Sequence, residues 1–196
     1  MNPALALIEF DSIAAGIEAG DAMAKKAPIA RIVAGSVQNG KYLVLVAGAV
    51  ADVEESLAAG LAVGSGSVLD HVYLPGVHTH VADAVAGSRR PQLIDALGII
   101  ETRTVAAAIG AADAGIKGAE VNLLEVRLAD GLGGRGLVFF SGLVADVEAA
   151  VRIGTDFISS SSSLIHAVVI PQLHTEMAAN LLDATRWRAH APQVTP

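Results

Sequence analysis

The feature that most limits what this chain can fold into is that it states one pattern twice. The stretch LALIEFDSIAAGIEAGDAMAKKA from Leu5 aligns without a gap to LGIIETRTVAAAIGAADAGIKGA from Leu97. Farther on, GAVADVEESLAAG from Gly48 answers GLVADVEAAVRIG from Gly142, and HVYLPGVH from His71 answers AVVIPQLH from Ala167. The separation grows from 92 to 94 to 96 positions, so the copies differ by short loop insertions. Each copy has the length of a small domain, and the chain of 196 residues reads as a tandem duplication. Domains are expected at 1–90 and 91–187, with Arg89-Arg90-Pro91 as the linker and 188–196 as a tail without fixed structure.

Within the first copy the hydrophobic periods alternate in a readable order. Ala4 to Glu9 predicts a short apolar strand, after which Ser12 can cap a helix running to about Lys26. Ile32 to Val37 and Lys41 to Val46 predict two strands joined by Gln38-Asn39-Gly40, where Asn-Gly is a strong hairpin signal. A second helix from near Ala49 carries Val53, Leu57 and Leu61 and ends in the loop Gly64-Ser65-Gly66-Ser67. Val68 to Leu74 predicts a strand stopped by Pro75, and a short helix follows from about Thr79. The five serines at 159–163 fall where the first copy has its Gly-Ser loop and predict a loop, unless they run into the strand Leu164 to Ile170. The order β-α-β-β-α-β, stated twice, defines an α+β chain of two tandem ferredoxin-like units, each an antiparallel sheet covered by helices.

Composition narrows the function classes. The chain is 53% hydrophobic with a mean hydropathy of +0.53, yet only 4% aromatic and 17% charged. Its apolar mass is therefore small and aliphatic, and a surplus beyond one core predicts burial between subunits. No apolar run approaches the roughly 20 residues of a membrane helix, and the start MNPALALIEF lacks the basic and apolar regions of a signal peptide. Cysteine is absent, which excludes disulfides, thiolate catalysis and cysteine-ligated clusters. A net charge of −7 with scattered basic residues argues against a nucleic-acid or anionic-membrane partner.

Two local motifs invite chemistry. Gly131, Gly133 and Gly136 fit the dinucleotide fingerprint G-x-G-x-x-G, which needs a following helix whose N-terminus faces a pyrophosphate. Here a strand-like run follows, Leu137-Val138-Phe139-Phe140, and Leu132-Gly133-Gly134 occupies the slot that Gln38-Asn39-Gly40 holds in the first copy. The glycines therefore predict a hairpin loop. His78-x-His80 is the closest histidine pair, but His78 and His174 are equivalent positions of the duplication, and a zinc site needs three or four ligands. No metal, cofactor or catalytic residue set is expected, since no nucleophile, base and orienting group can be assembled from the sequence.

The twice-stated IE…AADA…K helix, the VADVEAA helix after a Gly-rich hairpin and the V-I-P-x-x-H strand together resemble the bacterial microcompartment shell domain. Two copies in one chain resemble its tandem-domain, trimer-forming members, and the β-α start resembles the unpermuted strand order. The resemblance spans about 3–86 and 94–186. It implies a non-enzymatic homotrimer in the bacterial cytoplasm, a pseudohexagonal tile of a microcompartment shell that joins hexameric and pentameric tiles. It also implies a narrow central pore for small polar metabolites, lined by Gln38, Asn39 and Gly40 alternating with Leu132, Gly133 and Gly134 and flanked by Asp130 and Arg135. Lys25, Lys117, His78 and His174 are implied to stand at the tile edge, although Asp21 with Lys25 and Asp113 with Lys117 also read as ordinary i,i+4 pairs on a solvated helix face. The family's edge arginine after the strand-ending proline is replaced by Gly76 and Gln172. Relatives with an iron–sulfur cluster at the pore use cysteines that this chain lacks. A different class, a soluble trimeric small-molecule-binding or regulatory protein of the same fold, is the alternative.

Overall fold

A computed structural model describes residues 3–190. The first copy runs β1 (Ala4–Phe10), α1 (Ile13–Lys26), β2 (Arg31–Val37), β3 (Lys41–Gly48), α2 (Val50–Val63), β4 (Val68–Leu74) and α3 (Thr79–Val85). The second repeats it as β5 (Ala96–Thr102), α4 (Val105–Gly118), β6 (Asn122–Leu128), β7 (Gly136–Gly142), α5 (Val144–Phe157), β8 (Leu164–Ile170) and α6 (Thr175–Asp183), followed by α7 (Trp187–His190). Each copy forms its own four-stranded antiparallel sheet, in the orders β2-β3-β1-β4 and β6-β7-β5-β8. The expected tail thus begins with a helical turn, and 191–196 lie outside the described residues.

Local signals account for most boundaries. Ser12 and Thr104 are extended N-caps whose hydroxyls accept from the backbone N–H groups of Ala15 and Ala107, each satisfying one orphan donor of a first turn. Val37 pairs directly with Lys41, so the intervening hairpin loop holds three residues, and Asn39 and Gly40 reverse the chain at φ 64° and 72°. The serine run forms a 3-10 turn, Ser159–Ser161, with Ser162 left-handed, before β8 begins.

β1 divides the core by its period of two. Ala4, Ala6, Ile8 and Phe10 face α1 and α2, packing with Val44, Val46, Met23, Val53 and Leu57. Leu5 and Leu7 face the other way into a larger core shared by both copies, where Val72, Leu74, Val77 and Val81 meet Val105, Ile109 and Phe140. Full burial of each large aliphatic side chain contributes about 1.5–3 kcal/mol, so this shared core locks the two units together. α4 lies in the middle of it, packed on α5 and its own sheet on one side and on β4 of the first copy on the other. The Arg89-Arg90-Pro91 segment is held too, because Arg90 N–H donates to Leu124 O at 2.8 Å and its guanidinium to Asp83 at 2.7 Å.

Candidate functional site

The two equivalent hairpin loops come together at one point. Asn39 Nδ2 donates to Gly133 O at 2.7 Å, and Gly133 N–H donates to Gln38 Oε1 at 3.0 Å. All six residues expected at a pore therefore lie in two touching turns, with Asn39 and Gly133 in contact across 94 positions of sequence. The second loop is longer and folds on itself, Ala129 O accepting from both Leu132 and Gly134. Gly131, Gly133 and Gly134 adopt φ of 75°, 61° and 77°, which an L side chain resists, and a Cβ on Gly136 would stand 2.3 Å from the Cβ of Ala108. Turn geometry and close approach to α4 thus explain the fingerprint, and the strand β7 that follows excludes a dinucleotide cradle.

Behind the loops lies a charged pair that the sequence reading left out. Glu9 is fully buried on β1. Its Oε1 receives Lys41 Nζ at 2.6 Å, and its Oε2 receives Val105 N–H at 2.7 Å, so a carboxylate of the first copy caps the first turn of α4 in the second. Lys41 also donates to Gly134 O at 3.0 Å and Arg103 O at 3.3 Å, tying the second loop to the first sheet. Burial raises the Glu9 carboxyl above its ordinary value against the opposing pull of Lys41 and the backbone N–H groups of Val105 and Ala106. The signal for this pair was present in the duplication, since Glu101 and Arg135 stand at the equivalent positions and pair at 2.8 Å. Arg135 is thereby engaged by Glu101, and Asp130 remains exposed beside the loop.

The same junction continues along α4. Asp113, 3% exposed, accepts His78 N–H at 2.8 Å through Oδ1 and pairs with Lys117 through Oδ2. Lys117 Nζ donates onward to Gly76 O at 2.6 Å. Thr104 donates to Asp70, whose carboxylate also receives Ser163 at 3.5 Å. Asp113 is therefore part of a buried seam between the copies, in contrast to the solvated face expected from its i,i+4 spacing. Asp21 and Lys25 on α1 do form the expected surface pair, at 2.5 Å and largely exposed. His78 and His174 are equivalent helix caps, accepting through Nδ1 from His80 N–H at 3.2 Å and Glu176 N–H at 3.3 Å. Burial, followed by the charge of Arg90, lowers the His80 imidazole below its ordinary value. Among the described residues no three metal-ligating side chains group together, and no helix is long and apolar enough to cross a membrane.

Fold and site define a tandem repeat of one sheet-and-helix unit, whose equivalent loops converge and whose copies share one core. The model of the BMC domain matches residues 4–77 and again 96–173. The chain belongs to this family, the shell proteins of bacterial microcompartments, and carries its domain twice. It is 34% identical over 183 residues to the bacterial microcompartment shell protein PduT of Citrobacter freundii, covering 93% of this chain and 100% of that one. The carboxysome assembly protein CcmO of a Synechocystis species is 26% identical over 201 residues, covering 95% of this chain and 67% of that protein. Among solved structures, a microcompartment protein from Desulfitobacterium hafniense superposes with a TM-score of 0.79 at 42% identity, over 92% of this chain and all of that one. A fused permuted hexameric shell protein of the RMM microcompartment shares the fold, with a TM-score of 0.61 at 20% identity over 82% of this chain and 86% of that one.

Proposed function

We propose that three copies of this tandem shell protein close into a pseudohexagonal tile of the shell facet, with a narrow pore where the hairpin loops converge. The observation that carries this reading is the seam between the copies, which is filled once within the chain and left open once. Ile13, Ile17, Asp21 and Lys25 on α1 occupy the positions that Val105, Ile109, Asp113 and Lys117 hold on α4. Ile13 and Ile17 are 42% and 54% exposed, whereas Val105 and Ile109 are both 0% exposed. At the other end of the chain, Gln172 follows β8 and His174 caps α6, where Gly76 follows β4 and His78 caps α3. One open surface is the image of what covers the other, the condition for a heterologous interface that repeats head to tail and closes into a ring.

In that ring the internal seam describes the external one. Asp21 receives the backbone N–H of His174 of the partner subunit, and Lys25 donates to the carbonyl of Gln172 of the partner subunit. Glu101 caps the first turn of α1 as Glu9 caps α4, with Arg135 in the place of Lys41. Six loops then surround the axis, the Gln38-Asn39-Gly40 turn alternating with Leu132-Gly133-Gly134. None of these six side chains is charged, which suits passage of small polar or uncharged molecules, while Asp130 and Arg135 set the field at the mouth. Lys25, Lys117, His78 and His174 mark the outer ends of the seams, where one tile meets the next hexameric or pentameric one. The protein acts by assembly and selective passage, without chemistry of its own, in the shell of a cytoplasmic microcompartment.

Light scattering across a concentration series tests the reading. A particle of three chains that grows into sheets with concentration or salt is expected. A persistent monomer or dimer would overturn the ring and the pore together.

A further inference from the structure

The chain has 13 lysines and arginines against 20 acidic residues, yet three arginines converge on one cavity away from the hairpin tips. The cavity, about 330 Å³, lies between the end of α3, strand β6 and the turn that joins α6 to α7, and Arg89, Arg127 and Arg186 line it with Glu125 and Asp130. Arg89 is already committed. Its Nε stands 2.9 Å from Glu125, and its two terminal nitrogens donate to Asp183 O at 3.0 Å and Leu181 O at 2.9 Å. Glu125 also receives the Thr185 hydroxyl at 3.2 and 3.3 Å, so its carboxylate is shared between Arg89 and Thr185.

Arg127 and Arg186 are differently placed. Arg127 donates through one nitrogen to Thr185 O at 2.9 Å, and among the described residues neither arginine has a carboxylate within ion-pairing distance. Burial lowers the Arg127 guanidinium below its ordinary value; Glu125 opposes the shift, and the like charges of Arg186 and Arg89 add to it. The half-buried Arg127 guanidinium thus lies near the like charge of the exposed Arg186, and the two carboxylates that also line the cavity, Glu125 and Asp130, pair with neither. A guanidinium presents paired N–H donors in a fork that matches the two oxygens of a carboxylate or phosphate.

We propose that this cavity binds a small oxyanion, a carboxylate or phosphate group, between Arg127 and Arg186. The volume lies at the lower end of small-molecule sites, about 300–1,000 Å³, which suits a compact anion. Its place is informative: a Cβ on Gly131, the residue that opens the second hairpin loop after Asp130, would stand 3.7 Å from an Arg127 terminal nitrogen. An anion held here sits against the base of that loop. The site occurs once per chain, because sheet register puts Gly35 opposite Leu43 where Arg127 stands opposite Leu137. It lies within one chain, so it stands independently of how many copies assemble.

Calorimetric titration of the purified protein with inorganic phosphate, and separately with malonate, at constant ionic strength in chloride tests the site. One saturable anion per chain is expected. Binding should weaken at least tenfold in Arg127→Gln and Arg186→Gln and stay unchanged in Arg152→Gln, an equal loss of charge on the exposed face of α5. Arg127→Gln also removes the bond to Thr185, whereas Arg186→Gln leaves it intact, so Arg186→Gln separates loss of the site from loosening of the α6–α7 turn. Phosphate alone, malonate alone or both binding would each support the site and name its chemistry. No heat beyond the chloride control, or equal affinity in Arg186→Gln and wild type, would overturn it.

Discussion

Helices α1 and α4 are the same fourteen-residue element written twice, and they live in opposite surroundings. Both are capped by a hydroxyl, both carry an Asp–Lys pair one turn apart, and both pack on the helix that follows in their own copy. What differs is the far side. α4 finds β4 and the start of α3 against it, so its apolar stripe is fully buried and its aspartate bonds a foreign backbone N–H. α1 finds no such neighbour among the described residues of its own chain, and the matching stripe faces outward. Burial here is decided by what the duplication places next door, and helix sequence contributes only the stripe.

Breaking the filled seam should have the largest effect. Ile109→Ala removes apolar volume at a fully buried position and is expected to cost about 2–4 kcal/mol in urea unfolding. Its image on α1, Ile17→Asp, should leave the chain folded by circular dichroism while abolishing the three-chain species in light scattering. A chain that unfolds on Ile17→Asp would show that α1 is already buried within a single copy.

Next in size is the polar part of the seam. Asp113→Asn weakens a charged acceptor shared by His78 N–H and Lys117 and should cost about 1.5–3 kcal/mol. Asp21→Asn disrupts only an exposed i,i+4 pair and should cost a few tenths of a kcal/mol, about 0.2–0.5, in the isolated chain. Equal costs at the two positions would erase the distinction between the helices.

The capping carboxylate gives a smaller, pH-dependent effect. Burial holds Glu9 above 4.5, so the folded chain takes up its proton at higher pH than the unfolded chain does. Stability from this group therefore rises as pH falls from the folded value toward 4.5, and is level below it. The stability gap between wild type and Glu9→Gln should shift in favour of wild type across that window in urea titrations. A gap that is flat or moves the other way would show that Lys41 and the helix N–H donors outweigh burial. Lys25→Ala removes the other half of the exposed Asp21 pair and is likewise expected to change single-chain stability by only about 0.2–0.5 kcal/mol, with any larger change confined to assembled particles.

Much of the architecture was legible because its causes are local. The β-α-β-β-α-β order follows from apolar periods and turn chemistry, and β4 ends before Pro75 because proline cannot continue the ladder. The Ser12 cap and the Asn39-Gly40 reversal are properties of single residues and their immediate neighbours. The duplication also places both hairpin loops in matching slots.

The residues whose partners the sequence does not reveal share a different character. Arg89-Arg90-Pro91 has the composition of a linker, yet its arginines are fastened to β6 and α3 by partners remote in sequence or across a helix. Asp113 has the spacing of a surface pair, and Glu9 is one charge in an apolar strand. The sequence by itself determined the repeat, the strands and helices, their caps and turns, because φ/ψ preference and side-chain period act over a few residues. Only the tertiary structure decided which copy of each element is buried, that Glu9 caps a helix 96 positions away, and that three arginines meet in one cavity. Burial and electrostatics depend on distances through space, and those are set by how the second copy lies against the first.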